Sequence, residues 1–204
     1  MEIIDIESRI TVHDVPTGAE PEGVALAPDA DIIYVASEVA DMVHVIDADA
    51  GVVTDNIIVG TRPRRFVMTP STNELWVSAE LSSEIYIIDR SSNEVKDVLE
   101  FLPPGFRPED VTPVGMTLTR DGSIGLISLG RANHIAIIDA LSKDTLAYVL
   151  VGRRAWSVAL SSDEKIAVVA NGLSDDITLV DMDTYRPIRS IPVGRVPHTV
   201  AIDD

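Results

Sequence analysis

The chain has no cysteine, only three lysines (Lys96, Lys143 and Lys165) and 4% aromatic residues in a length of 204. Without a thiol there is no cysteine nucleophile, no Cys-ligated zinc, no iron–sulfur cluster and no CxxCH haem attachment. No run approaches the ~18 apolar residues of a membrane span, and no basic region followed by an apolar run opens the chain. Neither membrane insertion nor an export signal is expected from the sequence as written. The scarcity of lysine leaves 13 arginines facing 33 acids and a net charge of −17. Such a surface repels nucleic acid and anionic lipid, whose binding rests on basic contacts. Apolar residues, in contrast, make up 46% of the chain. At this length a compact fold hides roughly 70% of the unfolded surface, so no disulfide or structural metal is required.

Internal repetition decides the architecture. The segment Pro21-Glu22-Gly23-Val24-Ala25 has counterparts starting at Pro63, Pro113, Ala155 and Pro197, at spacings of 42, 50, 42 and 42 residues. Thirteen residues after each start comes an apolar pair (Tyr34-Val35, Trp76-Val77, Leu126-Ile127, Val168-Val169), and twenty-six after it an aspartate (Asp47, Asp89, Asp139, Asp181). Asp5 and Gly18 keep the same phase, and the eight extra residues of the longer unit fall near 102–108. Within each unit the apolar pattern has a period of two or forms short runs, separated by turn residues such as Asp29-Ala30-Asp31 and Asp121-Gly122. In the last full unit this predicts strands from Ser157 to Leu160, Ile166 to Ala170, Ile177 to Val180 and Ile188 to Val193. Four short strands every forty-odd residues, with nothing of helical period, predict an all-β fold: a β-propeller of four-stranded blades. The blades are expected at 21–62, 63–112, 113–154 and 155–196 of a single domain, with a partial blade at 1–20 and a closing strand at 197–204. The repeated aspartates each open a turn, where a carboxylate accepts backbone N–H groups two or so residues on, and no catalytic role is assigned to them.

The unit P-x-G-V-A-x-x-P-D, then Y-V-A, then V-I-D, then V-G, resembles the YVTN-type propeller repeat. The final section, VGRRAWSVALSSDEKIAVVANGLSDDITLVDMDTYRPIRSIPVGRVPHTVAI, is similar to the end of the β-propeller proteins associated with PQQ-dependent (quinoprotein) catabolism. The resemblance covers essentially the whole chain and concerns residues that build blades. It departs from the pattern where the naming tyrosine survives only as Tyr34 and where the second unit lacks its V-G. It implies a periplasmic or extracellular setting and a role accessory to redox metabolism.

Residues 1–20 supply the third and fourth strands of a blade, and 197–204 a first strand, so the chain begins in mid-repeat. Either the two ends share one sheet and close a five-blade ring, or two blades of the seven usual in such relatives are missing. The second arrangement, or an unusually short relative, is the expectation, and open blade edges would then favour self-association.

In a propeller, the connection between blades lies beside the loop joining strands two and three, and together these form a funnel mouth. Seven of the 13 arginines fall in these connections: Arg62, Arg64, Arg65, Arg107, Arg153, Arg154 and Arg195. Guanidinium forks suit carboxylates and phosphates, which points to an anionic small ligand or a protein partner. The competing reading pairs them with Glu20, Glu22, Glu109 and Asp110 as staples between blades. Glu22, Trp156 and His198 share a phase one residue past the blade start. Trp156 could stack on a flat ligand, and His198 could bind a metal or move a proton. His134 and Asn171 lie in or beside the other mouth loops, while His13 and His44 are expected at structural outer-strand positions.

No GxSxG, HExxH, P-loop or strand-to-helix GxGxxG occurs. The leading expectation is a non-catalytic binding or scaffold propeller with an arginine-rich funnel. Two alternatives are a metal-dependent lactonase or hydrolase, with the ion on Glu22, Asn171 and His198, and a haem d1-type propeller with His198 or His134 as axial ligand and arginines on the propionates.

Overall fold

The computed structural model describes residues 1–28 and 30–203, so Asp29 of the expected turn and the terminal Asp204 lie outside the described residues. A hairpin of β1 (Glu2–Asp5) and β2 (Ile10–Asp14) precedes four antiparallel sheets of four strands each. The first sheet holds β3 (Pro21–Leu26), β4 (Ile32–Ser37), β5 (Met42–Asp47) and β6 (Val52–Ile58). The second holds β7 (Pro63–Met68), β8 (Glu74–Ala79), β9 (Glu84–Asp89) and β10 (Glu94–Glu100). The third holds β11 (Pro113–Leu118), β12 (Ile124–Leu129), β13 (His134–Asp139) and β14 (Thr145–Leu150). The fourth holds β15 (Ala155–Leu160), β16 (Ile166–Asn171), β17 (Asp176–Asp181) and β18 (Arg186–Pro192). Strands follow chain order in every sheet. The first strands touch in series, β3 with β7, β7 with β11 and β11 with β15, so the sheets stand side by side as blades.

The middle strands of a blade are apolar on both faces because each face meets a different neighbour. Tyr34, Val43 and Val45 of the first blade pack on Leu75, Val77 and Ile88 of the second. Trp76, Ile85 and Ile87 of the second pack on Ile127, Leu129 and Ile138 of the third, and Leu126, Ile135 and Ile137 of the third on Ala167, Val169 and Val180 of the fourth. Each blade thus has an outgoing face, toward the C-terminal side, and an incoming face at the alternate positions. The hairpin obeys the same rule, with Ile3 and Val15 against Val35 and Ile46. The aspartates behave as turn caps: Asp47 Oδ1 accepts the N–H groups of Asp49 and Ala50 (3.0 and 2.8 Å), and Asp139 Oδ1 those of Leu141 and Ser142 (2.9 and 2.8 Å). Asp5 does the same for Ser8 at 2.7 Å. Residues 101–112, which include the extra length, carry a 3-10 turn at Pro108–Asp110 and are tied to the third blade by the Leu102 N–H on Tyr148 Oη (2.9 Å).

Residues 197–203 do not form the expected closing strand. The Val200 N–H reaches Ser157 Oγ at 3.2 Å, but no strand pairs with the segment among the described residues, and an extended chain without a ladder is not held straight. His44, expected on an outer strand, lies on the third strand of its blade and is buried. Its Nε2 accepts the Gly18 N–H (2.8 Å), which leaves Nδ1–H to donate to Asn56 Oδ1 (2.6 Å). Among the described residues no helix is long and apolar enough to cross a membrane.

The passage from one blade to the next uses one device each time. The residue before each repeat start (Glu20, Arg62, Thr112, Arg154 and Val196) is left-handed, with φ between 50° and 64°. Its carbonyl accepts an N–H from the loop between strands two and three: Glu38 on Glu20, Glu80 on Arg62, Gly130 on Thr112 and Gly172 on Arg154. Its own N–H is capped from the preceding blade: Arg62 by Asp41 Oδ1 (3.0 Å), Arg154 by Asn133 Oδ1 (2.8 Å) and Val196 by Asp175 Oδ1 (2.9 Å). Asp41, Asn133 and Asp175 are themselves left-handed.

At the opposite end of the blades, two of the three lysines serve one buried carboxylate. Glu74, 3% exposed, accepts from Lys96 (2.7 Å), Lys143 (2.8 Å) and Trp76 Nε1 (2.9 Å), and Lys143 Nζ lies 4.6 Å from the Trp76 ring centroid. Burial pushes the Glu74 carboxyl up, but the three donors outweigh it and hold the group at about 2.

Two outcomes follow. Replacing Asp41→Ala should cost about 2 kcal/mol, about half from the lost N–H cap and half from forcing alanine left-handed. Asp41→Gly should cost only the first half, as measured by denaturant unfolding. Because the folded pKa of Glu74 lies below its ordinary 4.5, its stabilisation is complete above pH 4.5 and disappears as pH falls toward 2. The stability gap between the native chain and Glu74→Gln should therefore be widest near neutrality and shrink by roughly 3 kcal/mol by pH 2.

Candidate functional site

Each inner strand breaks its ladder just after its start, with register shifts between Pro21 and Val24, Pro63 and Phe66, Pro113 and Met116, and Ala155 and Ser157. A bulge frees residues from the pleat and re-aims their side chains. The freed residues are Glu22-Gly23, Arg64-Arg65, Val114-Gly115 and Trp156. Two of the unpaired N–H groups are recovered by serines of the second strand: Arg65 on Ser78 Oγ (3.1 Å) and Gly115 on Ser128 Oγ (2.7 Å). Glycine at this point is a steric requirement. A Cβ on Gly23 would stand 2.3 Å from the Arg64 carbonyl oxygen, and one on Gly115 would stand 2.5 Å from that of Trp156.

The bulges and junctions bring arginines from two connections onto one set of carboxylates. Glu80, 1% exposed, receives Arg154 Nη2 (2.5 Å) and Arg64 Nη1 (3.1 Å), with Arg62 Nε at 3.6 Å. Glu38 receives Arg62 Nε (2.8 Å) and Arg64 Nη1 (2.9 Å). Glu22 receives Arg64 Nη2 (3.3 Å) and Arg65 Nη2 (3.0 Å). Arg65 also donates through Nη1 to the carbonyls of Glu22 (3.3 Å) and Arg64 (3.4 Å), which fixes it across β3 and β7. Hydrogen bonding to Glu38 raises the Arg62 pKa. Arg154 goes the other way: burial lowers its pKa first, Glu80 opposes this, and the nearby Arg131 and Arg64 lower it further. The cations are therefore crowded.

Arg65 forms one wall of a cavity of about 220 Å³ with Phe66, Met116, Trp156, His198 and Val200. The Trp156 and His198 rings are 4.9 Å apart at 52°, and the Arg154 guanidinium lies 5.9 Å from the Trp156 ring centroid. His198 Nδ1 is 3.1 Å from Thr199 Oγ1. The structure thus brings Arg62, Arg64, Arg65, Arg154 and Trp156 together, with His198 at the cavity. Arg153 and Arg195 are exposed and make no ion pair among the described residues, and Arg107 makes a 3.8 Å pair with Glu109 at the surface.

Sequence reasoning missed Glu38 and Glu80, the main partners, and Arg131, which has no ion-pair partner among the described residues. The signal was present: Glu38 and Glu80 share one phase, seventeen residues past the blade start, where the later blades carry Gly130 and Gly172.

The residues proposed for a metal are not assembled into a ligand set. Glu22 is engaged by two arginines. Asn171 is fully buried, with Nδ2 donating to Asp176 Oδ1 (2.7 Å) and Thr178 Oγ1 (2.9 Å), and its Oδ1 has no partner. No cluster of three His, Asp or Glu suited to a metal occurs among the described residues. A tetrapyrrole does not fit either. The cavity at His198 is smaller than the ~300 Å³ lower bound of ordinary ligand pockets, and His134 turns Nδ1 to the Ala132 carbonyl (2.6 Å) with Phe106 edge-on at 5.6 Å.

No family model matches the chain, and no curated protein sequence matches it. Among solved structures it is similar to Kuenenia stuttgartiensis hydrazine synthase, at 17% identity and a TM-score of 0.74, over 87% of this chain and 51% of that one. It is also similar to the periplasmic gluconolactonase PpgL of Pseudomonas aeruginosa, at 19% identity and a TM-score of 0.74, over 87% and 55%. The chain spans about half the length of these matched chains. Both are β-propeller proteins, and the likeness shows that fold here.

Glu80→Gln would leave Arg64 and Arg154 facing a neutral amide inside the protein. We expect a loss of about 3 kcal/mol in urea unfolding, since removing one partner of a buried ionic cluster strands the others. Glu109→Gln at the surface should change stability by less than about 0.5 kcal/mol.

Proposed function

We propose that this chain is a non-catalytic β-propeller binding protein that takes a small anionic ligand at the channel mouth. One observation carries the reading: Arg65 lines a cavity beside Trp156 and His198, backed by a cluster of arginines in which burial, with a smaller contribution from Arg131 and Arg64, depresses Arg154 despite Glu80. A carboxylate or phosphate entering there relieves the repulsion among guanidiniums and meets fork-shaped donors already held in place. In a chain of net charge −17, an anion has little reason to settle elsewhere. Binding in this scheme needs no chemical step. The YVTN-type assignment, a role accessory to quinoprotein or redox metabolism, and a periplasmic or extracellular setting belong to the same proposal. The sequence resemblance supports all three, and the periplasmic neighbour supports the last.

Calorimetric titration of the intact chain with acetate, benzoate, succinate and inorganic phosphate at low salt tests the reading. We expect saturable binding of at least one of these anions, weakening as salt rises, and reduced at least ~10-fold by Arg65→Ala. Absence of saturable binding for all four, or binding indifferent to Arg65, would sink it.

A further inference from the structure

The repeat makes it possible to say which surfaces are exposed out of turn. On the outgoing face, the positions of Val168, Ile177 and Leu179 correspond in the three earlier blades to residues that are 0–1% exposed, Tyr34, Val43 and Val45 among them. In the fourth blade the same positions are only partly covered, and Val193 is 42% exposed. Val168, Ile177 and Val193 line an open groove of about 380 Å³ with Arg195 at its side. At the other end of the row, Ile4 holds the incoming-face position at which Ile46, Ile88, Ile138 and Val180 are 0% exposed, yet Ile4 is 54% exposed and the adjacent Ile6 is 89% exposed. The two surfaces are the two halves of a blade-to-blade contact, separated to opposite ends of the row of described blades.

Their charges also match. Residues 1–20 carry five acids and one arginine, whereas residues 184–202 carry Arg186, Arg189 and Arg195 and no acid at all. In so acidic a chain, this basic stretch, bounded by Asp183 and Asp203, has few complementary surfaces, and the hairpin of another copy is one. We propose that two copies of this chain associate head to tail, the β1–β2 hairpin of one lying on the outgoing face of the fourth blade of the next. The contact is heterologous, so it adds copies until the series closes. Apolar burial supplies its strength, and the opposed charges set its direction.

Sedimentation analysis of the intact chain at low salt should show species at multiples of 22.0 kDa that dissociate on dilution and in high salt. Two variants separate the halves of the contact: Ile177→Asp disables the face and Ile4→Asp the hairpin. Both positions are partly exposed, so both variants should fold, which circular dichroism will verify; Ile6→Asp, at a site 89% exposed, substitutes for Ile4→Asp if needed. Each variant alone should run as a monomer, while an equimolar mixture should recover a one-to-one dimer through the surviving face and hairpin. A monomeric intact chain at high protein concentration overturns the proposal. So does a variant that still assembles alone, or a mixture that stays monomeric.

Discussion

The structure depends on a single backbone constraint repeated at every junction. A residue other than glycine is held left-handed between one blade and the next, its N–H capped from behind and its carbonyl bonded ahead. The local conformation is unfavourable for an L-residue, by about 1 kcal/mol, and two hydrogen bonds from different blades outweigh that cost. The same three-way knot ties the outer-to-inner connection to the loop between strands two and three. For that reason Arg62 meets Glu80, and Arg154 meets Gly172, before any side chain is considered. The mouth is built by main chain, and side chains are then hung on it.

Those side chains solve an electrostatic problem that the overall composition conceals. The chain is acidic nearly everywhere, yet its channel mouth concentrates cations around three carboxylates. Glu80 lies at the centre, almost out of solvent, and joins arginines from two connections, one of which supplies Arg154 from 74 residues along the chain. A buried carboxylate surrounded by guanidiniums contributes little net stability over an apolar replacement, but it imposes positions on everything around it. Arg65, fixed to two carbonyls and Glu22, keeps its place on the cavity wall without relying on a ligand.

The fold was legible in the sequence because a propeller repeats, and each phase carries its own evidence. Asp47, Asp89, Asp139 and Asp181 recur with the turn they cap, and the alternation around Val35 and Val77 recurs with the two faces of the blade. Strand ends extended beyond the expected limits by a residue or two, as at Asn171, because ladders continue past the last apolar side chain. Ion pairing was less legible. Glu22 could be paired with arginine from proximity in phase, but Glu38 meets Arg64 of the next blade and Glu80 meets Arg154 of the fourth, contacts between units that no single unit encodes. The segment 197–203 has the composition of an inner strand and is not one, since strand character there belongs to the partner strand as much as to the residues.

The two tryptophans lie in contrasting surroundings: Trp76 is sealed between blades beside Lys143 and Glu74, and Trp156 is half-exposed beside His198 at the cavity. The protein therefore carries two native optical reporters, one emitting from a dry interior and one from a half-exposed position beside an imidazole at the cavity. Removing either leaves a single-probe version in which events at the mouth and loosening of the blade interface can be followed separately, without an added label.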